Sequence, residues 1–264
     1  MTIGSTAHGL AITTTAAMCC LAGLAALPSR TTAAELQVIS AGAVRGVLRG
    51  MIDDYAKATG HTFNFTLGST GQLRQVIASG EPADLIIASA PLMAELEQTG
   101  RITPGSRVDI GRIGQGVVVR DGAPVPDVST PDGVRRALIA AKSIAFTDPK
   151  LGGTSYLHLM KIATGFGIAD AVTAKGVHAT GGDDAAAKVA DGTAELAIVL
   201  ISEIHAKGAK LVAPLPDALQ SWTVYAAAIP ASSKQPALAR ELVDALTGPA
   251  LRGRWTAAGW SPAK

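Results

Sequence analysis

Three short loops carry small and hydroxyl-bearing residues directly before predicted helices. They read Ser40-Ala41-Gly42-Ala43, Gly68-Ser69-Thr70-Gly71 and Gly152-Gly153-Thr154-Ser155. The first turn of a helix has backbone N–H groups without partners and a partial positive charge. Glycine lets a ligand approach that backbone, and Ser or Thr adds a directional hydroxyl donor. The loops therefore predict a binding site for a small anion, with Ser69, Thr70, Thr154 and Ser155 as candidate ligand-binding residues.

Each loop taken alone is more often an ordinary helix cap, because Ser and Thr are favoured at that position. Three such loops, spread over both halves of the chain, favour a shared cleft instead. Two nucleotide sites do not fit, since no Lys follows Gly71 or Gly153 in the P-loop manner and no G-x-G-x-x-G follows the first strand. The five histidines show no metal-ligand spacing, so we expect neither a metal nor a cofactor.

The segments around these loops alternate between predicted strands and helices. In the first part, strands and helices are predicted at 36–39, 44–59, 62–67, 72–79, 84–88, 91–99 and 116–120. The alternation restarts with elements at 131–141, 143–146, 156–166, 183–191, 196–201, 222–229, 235–246 and 249–258. This pattern predicts an α/β fold with mixed, mostly parallel sheets in two lobes. The apolar strands near Val118 and Val224 are expected to connect the lobes.

Composition sets limits on the class of protein. With 264 residues, 48% of them hydrophobic and 17% charged, the chain is expected to form one or two globular domains. The net charge is +2 and no basic cluster is present, which argues against a nucleic-acid partner.

The first 34 residues differ in character from the rest. The run from Leu10 to Leu27 has no charged residue, and Thr32-Ala33-Ala34 follows shortly after it. This predicts a cleavable signal peptide, residues 1–34, cut near Ala34; an uncleaved membrane anchor is the alternative. Both cysteines, Cys19 and Cys20, lie inside this run. We expect a periplasmic, monomeric protein whose mature chain has no thiol.

Three stretches carry a resemblance to a known family. They are GSTGQLRQVIASGEPADLIIAS from residue 68, FTDPKLGGTSYLHLMKIATGFGI from residue 146 and AELAIVLISEI from residue 194. The chain from about Leu36 onward resembles the periplasmic molybdate-binding proteins of ATP-driven importers. The resemblance implies a type II periplasmic binding protein fold with an anion in the cleft between its lobes. It implies lobe 1 at 35–118 with 225–264 returning to it, lobe 2 at 119–224, and ABC importer membrane subunits as partners.

The chain departs from the pattern of that family at two hydroxyl positions. Ala43 stands where the family has a serine, and Leu200 stands where it has a tyrosine. Thr70 keeps a hydroxyl, and the backbone donors of the second lobe fall on Thr154 and Gly182. An oxyanion left without two donors would lose about 1–3 kcal/mol for each. These departures disfavour molybdate as the ligand.

Two arginines indicate another kind of ligand. Arg45 and Arg74 lie near the starts of the first two predicted helices. A guanidinium pairs bidentately with a carboxylate, so the arginines favour a di- or tricarboxylate; two solvated helix-surface arginines are the alternative. Relatives with this altered pattern include a periplasmic aconitate isomerase, which uses the same fold as an enzyme.

Two functions therefore remain open at this point. One is a receptor that captures a small anion for an importer. The other is an isomerase that moves the double bond of aconitate by cofactor-free proton transfer. The isomerase needs a general base within reach of its substrate, and the candidates are His158, Tyr156, Glu203 and Asp183.

Overall fold

The computed structural model describes residues 1, 2, 4 and 33–263. Nearly all of the predicted signal peptide, and both cysteines with it, lies outside the described residues. Within the described part of the chain, no helix has both the length and the hydrophobicity needed to cross a bilayer.

The first sheet has five strands in the order β2-β1-β3-β10-β4. The strands are β1 (Glu35–Ala41), β2 (Thr62–Gly68), β3 (Leu85–Ser89), β4 (Val108–Ile113) and β10 (Thr223–Ala228). β1 pairs in parallel with β2 and β3, whereas β10 is antiparallel to β3 and β4. Every residue of β3 is buried, as expected for a strand at the centre of a sheet that helices cover.

The second sheet also has five strands, in the order β7-β6-β8-β5-β9. The strands are β5 (Gln115–Arg120), β6 (Ile144–Thr147), β7 (Gly176–Ala179), β8 (Leu196–Leu200) and β9 (Ala209–Pro214). β6 is parallel to β7 and β8, and β5 is antiparallel to β8 and β9. Both sheets are therefore mixed: the pairs nearer one edge are parallel, and the pairs nearer the other edge are antiparallel.

Helices connect the strands and pack on the sheets through their apolar faces. They are α1 (Arg45–Thr59), α2 (Thr70–Ala78), α3 (Ala90–Gln98), α4 (Pro131–Ala140), α5 (Thr154–Gly165), α6 (Ala169–Ala174), α7 (Gly182–Ala190), α8 (Pro236–Thr247) and α9 (Arg252–Ala257). One hydrophobic core surrounds the first sheet, and two smaller clusters lie on the second. The predicted α/β fold is confirmed. We call the part built on each sheet the first and the second lobe.

The chain passes between the sheets at Gly114 and returns between residues 214 and 223. The predicted lobe boundary at residue 118 falls within β5, which pairs along its length with strands of the second sheet. The sequence analysis did not assign β4, β7, β9 or α6. Each of the three strands lies at a sheet edge and is partly exposed, so its apolar pattern is weak.

Candidate functional site

A cavity of about 200 Å³ lies where the carboxyl ends of strands from both sheets meet. We call it the central cavity. From the first lobe it is lined by Ala41, Gly42, Ala43, Arg45, Leu67, Gly68, Ser69, Thr70, Gln72 and Tyr225. From the second lobe it is lined by Thr147, Gly153, Thr154, Ser155, Thr180, Gly181, Gly182, Asp183, Leu200 and Glu203. All three loops singled out in the sequence contribute to this one cavity.

Besides α1, which starts at Arg45, three helices begin at the central cavity. α2 starts at Thr70, α5 at Thr154 and α7 at Gly182, and these residues all line it. The helices have 9, 12 and 9 residues, long enough for their backbone dipoles to add up at the N-terminus. Converging helix N-termini create a positive potential and present N–H donors, which is an arrangement suited to an anion.

The two lobes touch each other beside the cavity. The Ser69 hydroxyl donates to the Leu151 carbonyl at 2.6 Å, and the Thr70 and Thr154 hydroxyl oxygens are 3.3 Å apart. The Gly71 N–H donates to the Gly152 carbonyl at 3.3 Å. A Cβ on Gly71 would lie 2.3 Å from the Leu151 carbonyl oxygen, so only glycine permits this approach.

Ser69 also caps α2. Its hydroxyl accepts from the Gln72 N–H, while the Gln72 side chain accepts from the Ser69 N–H, which forms a capping box. Ser69 therefore has a structural role at the cavity wall, as the cap interpretation of these loops allows.

One ion pair crosses the cavity between the lobes. Arg45 Nη1 lies 3.3 Å from Asp183 Oδ2. About half of the Arg45 side chain and about two fifths of the Asp183 side chain are exposed. Among the described lining residues, Arg45 is the single cation, and Asp183 and Glu203 are the acids.

Glu203 is a buried carboxyl group held by the second lobe. Its Oε2 accepts hydrogen bonds from the Leu200 N–H at 3.1 Å and from the Ser155 hydroxyl at 3.4 Å. The carboxyl packs so tightly on Gly182 that a Cβ there would lie 1.9 Å from Oε2. Burial, followed by the negative charge of Asp183, raises the pKa of Glu203 to about 8.

Tyr225 is a cavity residue that the sequence analysis did not identify. It lies on β10, is buried, and packs edge-on against Trp260 with 5.5 Å between ring centroids. Burial, together with the nearby Glu203, raises its pKa, and a hydrogen bond with Thr154 opposes that shift. The sequence signal was available, because Tyr225 places a hydroxyl-bearing ring in a strand directly before three alanines. Gln72, Thr147 and Thr180 are further lining residues that were not predicted.

Three predicted site residues do not line the central cavity. Arg74 lies one helical turn beyond Thr70, and its Nε pairs with Glu95 at 3.0 Å on the exposed surface. The His158 ring bonds to the Leu219 carbonyl at 2.7 Å through Nε2. Tyr156 packs against Phe146, 5.4 Å between ring centroids. Each of these side chains contacts a partner away from the cavity, so the structure does not bring these three together with the other predicted residues.

The remaining predicted residues lie at the central cavity. Ala43 and Leu200 form buried apolar parts of its wall. Arg45, Ser69, Thr70, Thr154, Ser155 and Gly182 line it, as do the base candidates Asp183 and Glu203. The described residues contain no group of three or more His, Cys, Asp or Glu side chains placed to bind a metal.

The sequence of this chain matches one family model and resembles known proteins. Residues 36–261 match the family described as bacterial extracellular solute-binding protein. An aconitate isomerase from a Pseudomonas species is 31% identical over 229 residues, which cover 84% of either chain. The molybdate-binding protein ModA of Azotobacter vinelandii is 28% identical over 233 residues, covering 86% of this chain and 89% of that protein.

Solved structures agree with these sequence matches. The periplasmic molybdate-binding protein of Azotobacter vinelandii superposes with a TM-score of 0.73 at 26% identity, over 87% of this chain and all of that one. The resemblance expected from the three sequence stretches and the two-lobed binding-protein fold are both confirmed. This chain belongs to the bacterial extracellular solute-binding protein family.

Proposed function

We propose that the protein binds a small di- or tricarboxylate in the central cavity. The observation that carries this proposal is the position of Arg45, whose guanidinium lies at a cavity where three helices begin. A guanidinium gives a planar carboxylate two parallel hydrogen bonds, and the helix N-termini serve the remaining carboxylate oxygens.

The cavity wall supports a carboxylate over a tetrahedral oxyanion. Ala43 and Leu200 have apolar side chains, and both residues are buried at the wall. A compact oxyanion has oxygen on every side and would leave some of its oxygens unpaired against these residues, whereas a carboxylic acid chain has carbon atoms to place there.

A panel of anions tests the proposal. Thermal unfolding of the mature protein is measured with molybdate, tungstate, sulfate, malonate, citrate and both aconitates. Ligand at a hundred times its Kd stabilises the folded state by about 2.7 kcal/mol, so a true ligand raises Tm clearly. We expect the carboxylates to raise Tm and molybdate to leave it unchanged. The reverse result would overturn the proposal.

As a receptor, the protein would be exported by its signal peptide and would deliver this ligand to the membrane subunits of an ABC importer. Membership of a family of extracellular binding proteins supports this role and this location. Sequencing the N-terminus of the exported protein tests the signal peptide, with Glu35 as the expected first residue.

A second candidate function is the interconversion of trans- and cis-aconitate. Asp183 favours it, because a carboxylate at the wall of an anion site repels an anionic ligand, whereas proton transfer needs a base at that position. Asp183 pairs with Arg45 across the cavity. A substrate carboxylate that pairs with Arg45 would replace Asp183 as its partner and leave Asp183 free to act as a base. The 31% identity to an aconitate isomerase supports the same activity.

In this scheme Asp183 removes a proton from the methylene carbon next to the double bond. The electron pair shifts through the allylic system towards a substrate carboxylate, and the same proton returns from Asp183 to the far carbon. Arg45 and the helix N-termini stabilise the negative charge that develops. Chromatography of trans-aconitate incubated with purified protein decides between the candidates. Formation of cis-aconitate above a heat-killed control supports the enzyme, and reversible binding without conversion leaves the receptor.

A further inference from the structure

Glu203 offers one free oxygen to the central cavity. Its Oε2 already accepts from the Leu200 N–H and the Ser155 hydroxyl. Its Oε1 has no hydrogen-bond partner among the described residues, and the side chain lines the cavity. Oε1 is therefore the Glu203 oxygen that remains available to bond a ligand in the cavity.

The charges around Glu203 do not favour its ionised form. Asp183 faces it from the start of α7, and Tyr225 faces it from β10. The neighbouring Asp184 pairs with Lys188 on its own helix, and the His205 ring lies against Gly46 of α1. The nearest cation at the cavity, Arg45, pairs with Asp183. A carboxylate buried without a cation is costly, and protonation removes that cost. These surroundings keep the proton on Glu203 up to a pH of about 8.

We propose that Glu203 binds the ligand as a neutral carboxylic acid, donating a hydrogen bond from Oε1 to a ligand carboxylate, so that ligand and proton are held together. This inference rests on the proposed carboxylate binding and adds its dependence on pH. Ionised Glu203 would turn an acceptor and a negative charge towards the ligand, and both would repel a carboxylate.

Calorimetric titration with trans-aconitate at pH 7 and pH 9 tests the inference. The carboxylates of this ligand are ionised throughout that range, so the protein supplies any change. If only the protonated form of Glu203 binds, Kd is about tenfold weaker at pH 9 than at pH 7. Glu203→Gln keeps a neutral donor that does not titrate, and its Kd should be nearly equal at the two pH values. Glu81→Gln removes an exposed glutamate away from the cavity and should keep the tenfold change.

A second measurement uses the unaltered protein and does not depend on how the variant folds. Titrations at pH 8.5 in two buffers of different ionisation enthalpy report proton uptake, and about 0.8 proton should be taken up per ligand bound. At pH 6.5 the uptake should be near zero. A Kd that does not change with pH, a tenfold change that persists in Glu203→Gln, or no uptake at pH 8.5 would overturn the inference. No carboxylate binding at either pH would overturn the proposed function, and this inference with it.

Discussion

The two walls of the central cavity differ in the chemistry they present. The described lining residues of the first lobe include the cation Arg45 and the hydroxyls of Ser69 and Thr70, with no acid. The second lobe presents Asp183 and Glu203. Both walls carry helix N-termini, which suit an anion. Under the proposed function, the first lobe attracts the carboxylate and the second lobe handles protons at the same site.

The largest effect is expected from a substitution that removes the proposed base from the wall formed by the second lobe. Asp183→Asn should lower turnover of trans-aconitate by about 10²–10⁴-fold, because general-base catalysis contributes that much. Its Kd for the carboxylate should not weaken, since the change removes a negative charge from the site. Asp170→Asn, on α6 of the same lobe, is the matched control and should keep full turnover. Full turnover in Asp183→Asn would show that another group is the base.

Removing the cation from the first wall should have the next largest effect. Arg45→Ala should weaken carboxylate binding by about 1.5–3 kcal/mol, roughly 10- to 150-fold in Kd, through loss of charge-assisted hydrogen bonds. Arg74→Ala is its control, because Arg74 pairs with Glu95 outside the cavity. Calorimetry should show Kd unchanged in that control. Equal losses in both variants would mean that the two arginines act through overall charge and not by contact.

The third prediction concerns a substitution that disturbs the packing behind the wall formed by the second lobe. In Gly182→Ala the new methyl group would lie 1.9 Å from Glu203 Oε2 and would force the carboxyl to move. Overpacking of this kind costs about 1–3 kcal/mol of unfolding free energy. In Gly165→Ala, near the end of α5, the methyl group meets open space, and denaturant unfolding should show no loss of stability. Equal stability of the two variants would contradict the close contact between Gly182 and Glu203.

Glu203 should also make the stability of the protein depend on pH. The folded pKa, about 8, lies above the ordinary value of 4.5, so the folded state keeps a proton that the unfolded state loses. The stabilising contribution is complete below pH 4.5 and is lost as pH rises through about 8. Between these values the unaltered protein should lose about 1.4 kcal/mol per pH unit relative to Glu203→Gln. Parallel stability curves for the two proteins would contradict this burial of a neutral acid.

The smallest effects are expected from the two threonines that meet between the walls. Thr70→Ala should weaken binding by about 0.5–1.5 kcal/mol, since it removes one hydroxyl donor. Thr154→Ala should do less, because the Thr154 backbone N–H at the start of α5 remains. Calorimetric titration of both variants gives their Kd values and so ranks the two losses of binding. If neither changes Kd while both remain folded, these hydroxyls serve only the 3.3 Å contact between the lobes.

Local sequence predicted much of this site because its chemistry lies at helix starts. The helices predicted from residues 72 and 156 begin two residues earlier, at Thr70 and Thr154, inside the Gly-Ser-Thr-Gly and Gly-Gly-Thr-Ser loops. Helix starts that follow parallel strands share one edge of a sheet. Arg45 and Arg74 looked alike in sequence, since each follows a small-residue loop. Only the structure separates them, because the partner of Arg74, Glu95, lies on another helix.

The position of Tyr225 at the cavity likewise could not be predicted from local sequence. It comes from the strand that returns to the first sheet after the whole second lobe, so its place beside Thr154 depends on long-range topology. Likewise, burial raises the pKa of Glu203, and burial at the end of β8 depends on α5 and α7 packing around it. The ring of Tyr225 before three alanines is visible in the sequence, but its position beside Thr154 and the burial of Glu203 are not.

A crystal structure of the mature protein grown with trans-aconitate would show directly how the central cavity binds a carboxylate. We expect the ligand in the central cavity, with one carboxylate paired with the Arg45 guanidinium. A second carboxylate should lie within hydrogen-bond distance of Glu203 Oε1 and the N–H groups that begin α5 and α7. Aconitate bound away from Arg45, or a cavity that admits molybdate but no carboxylate, would contradict this expectation.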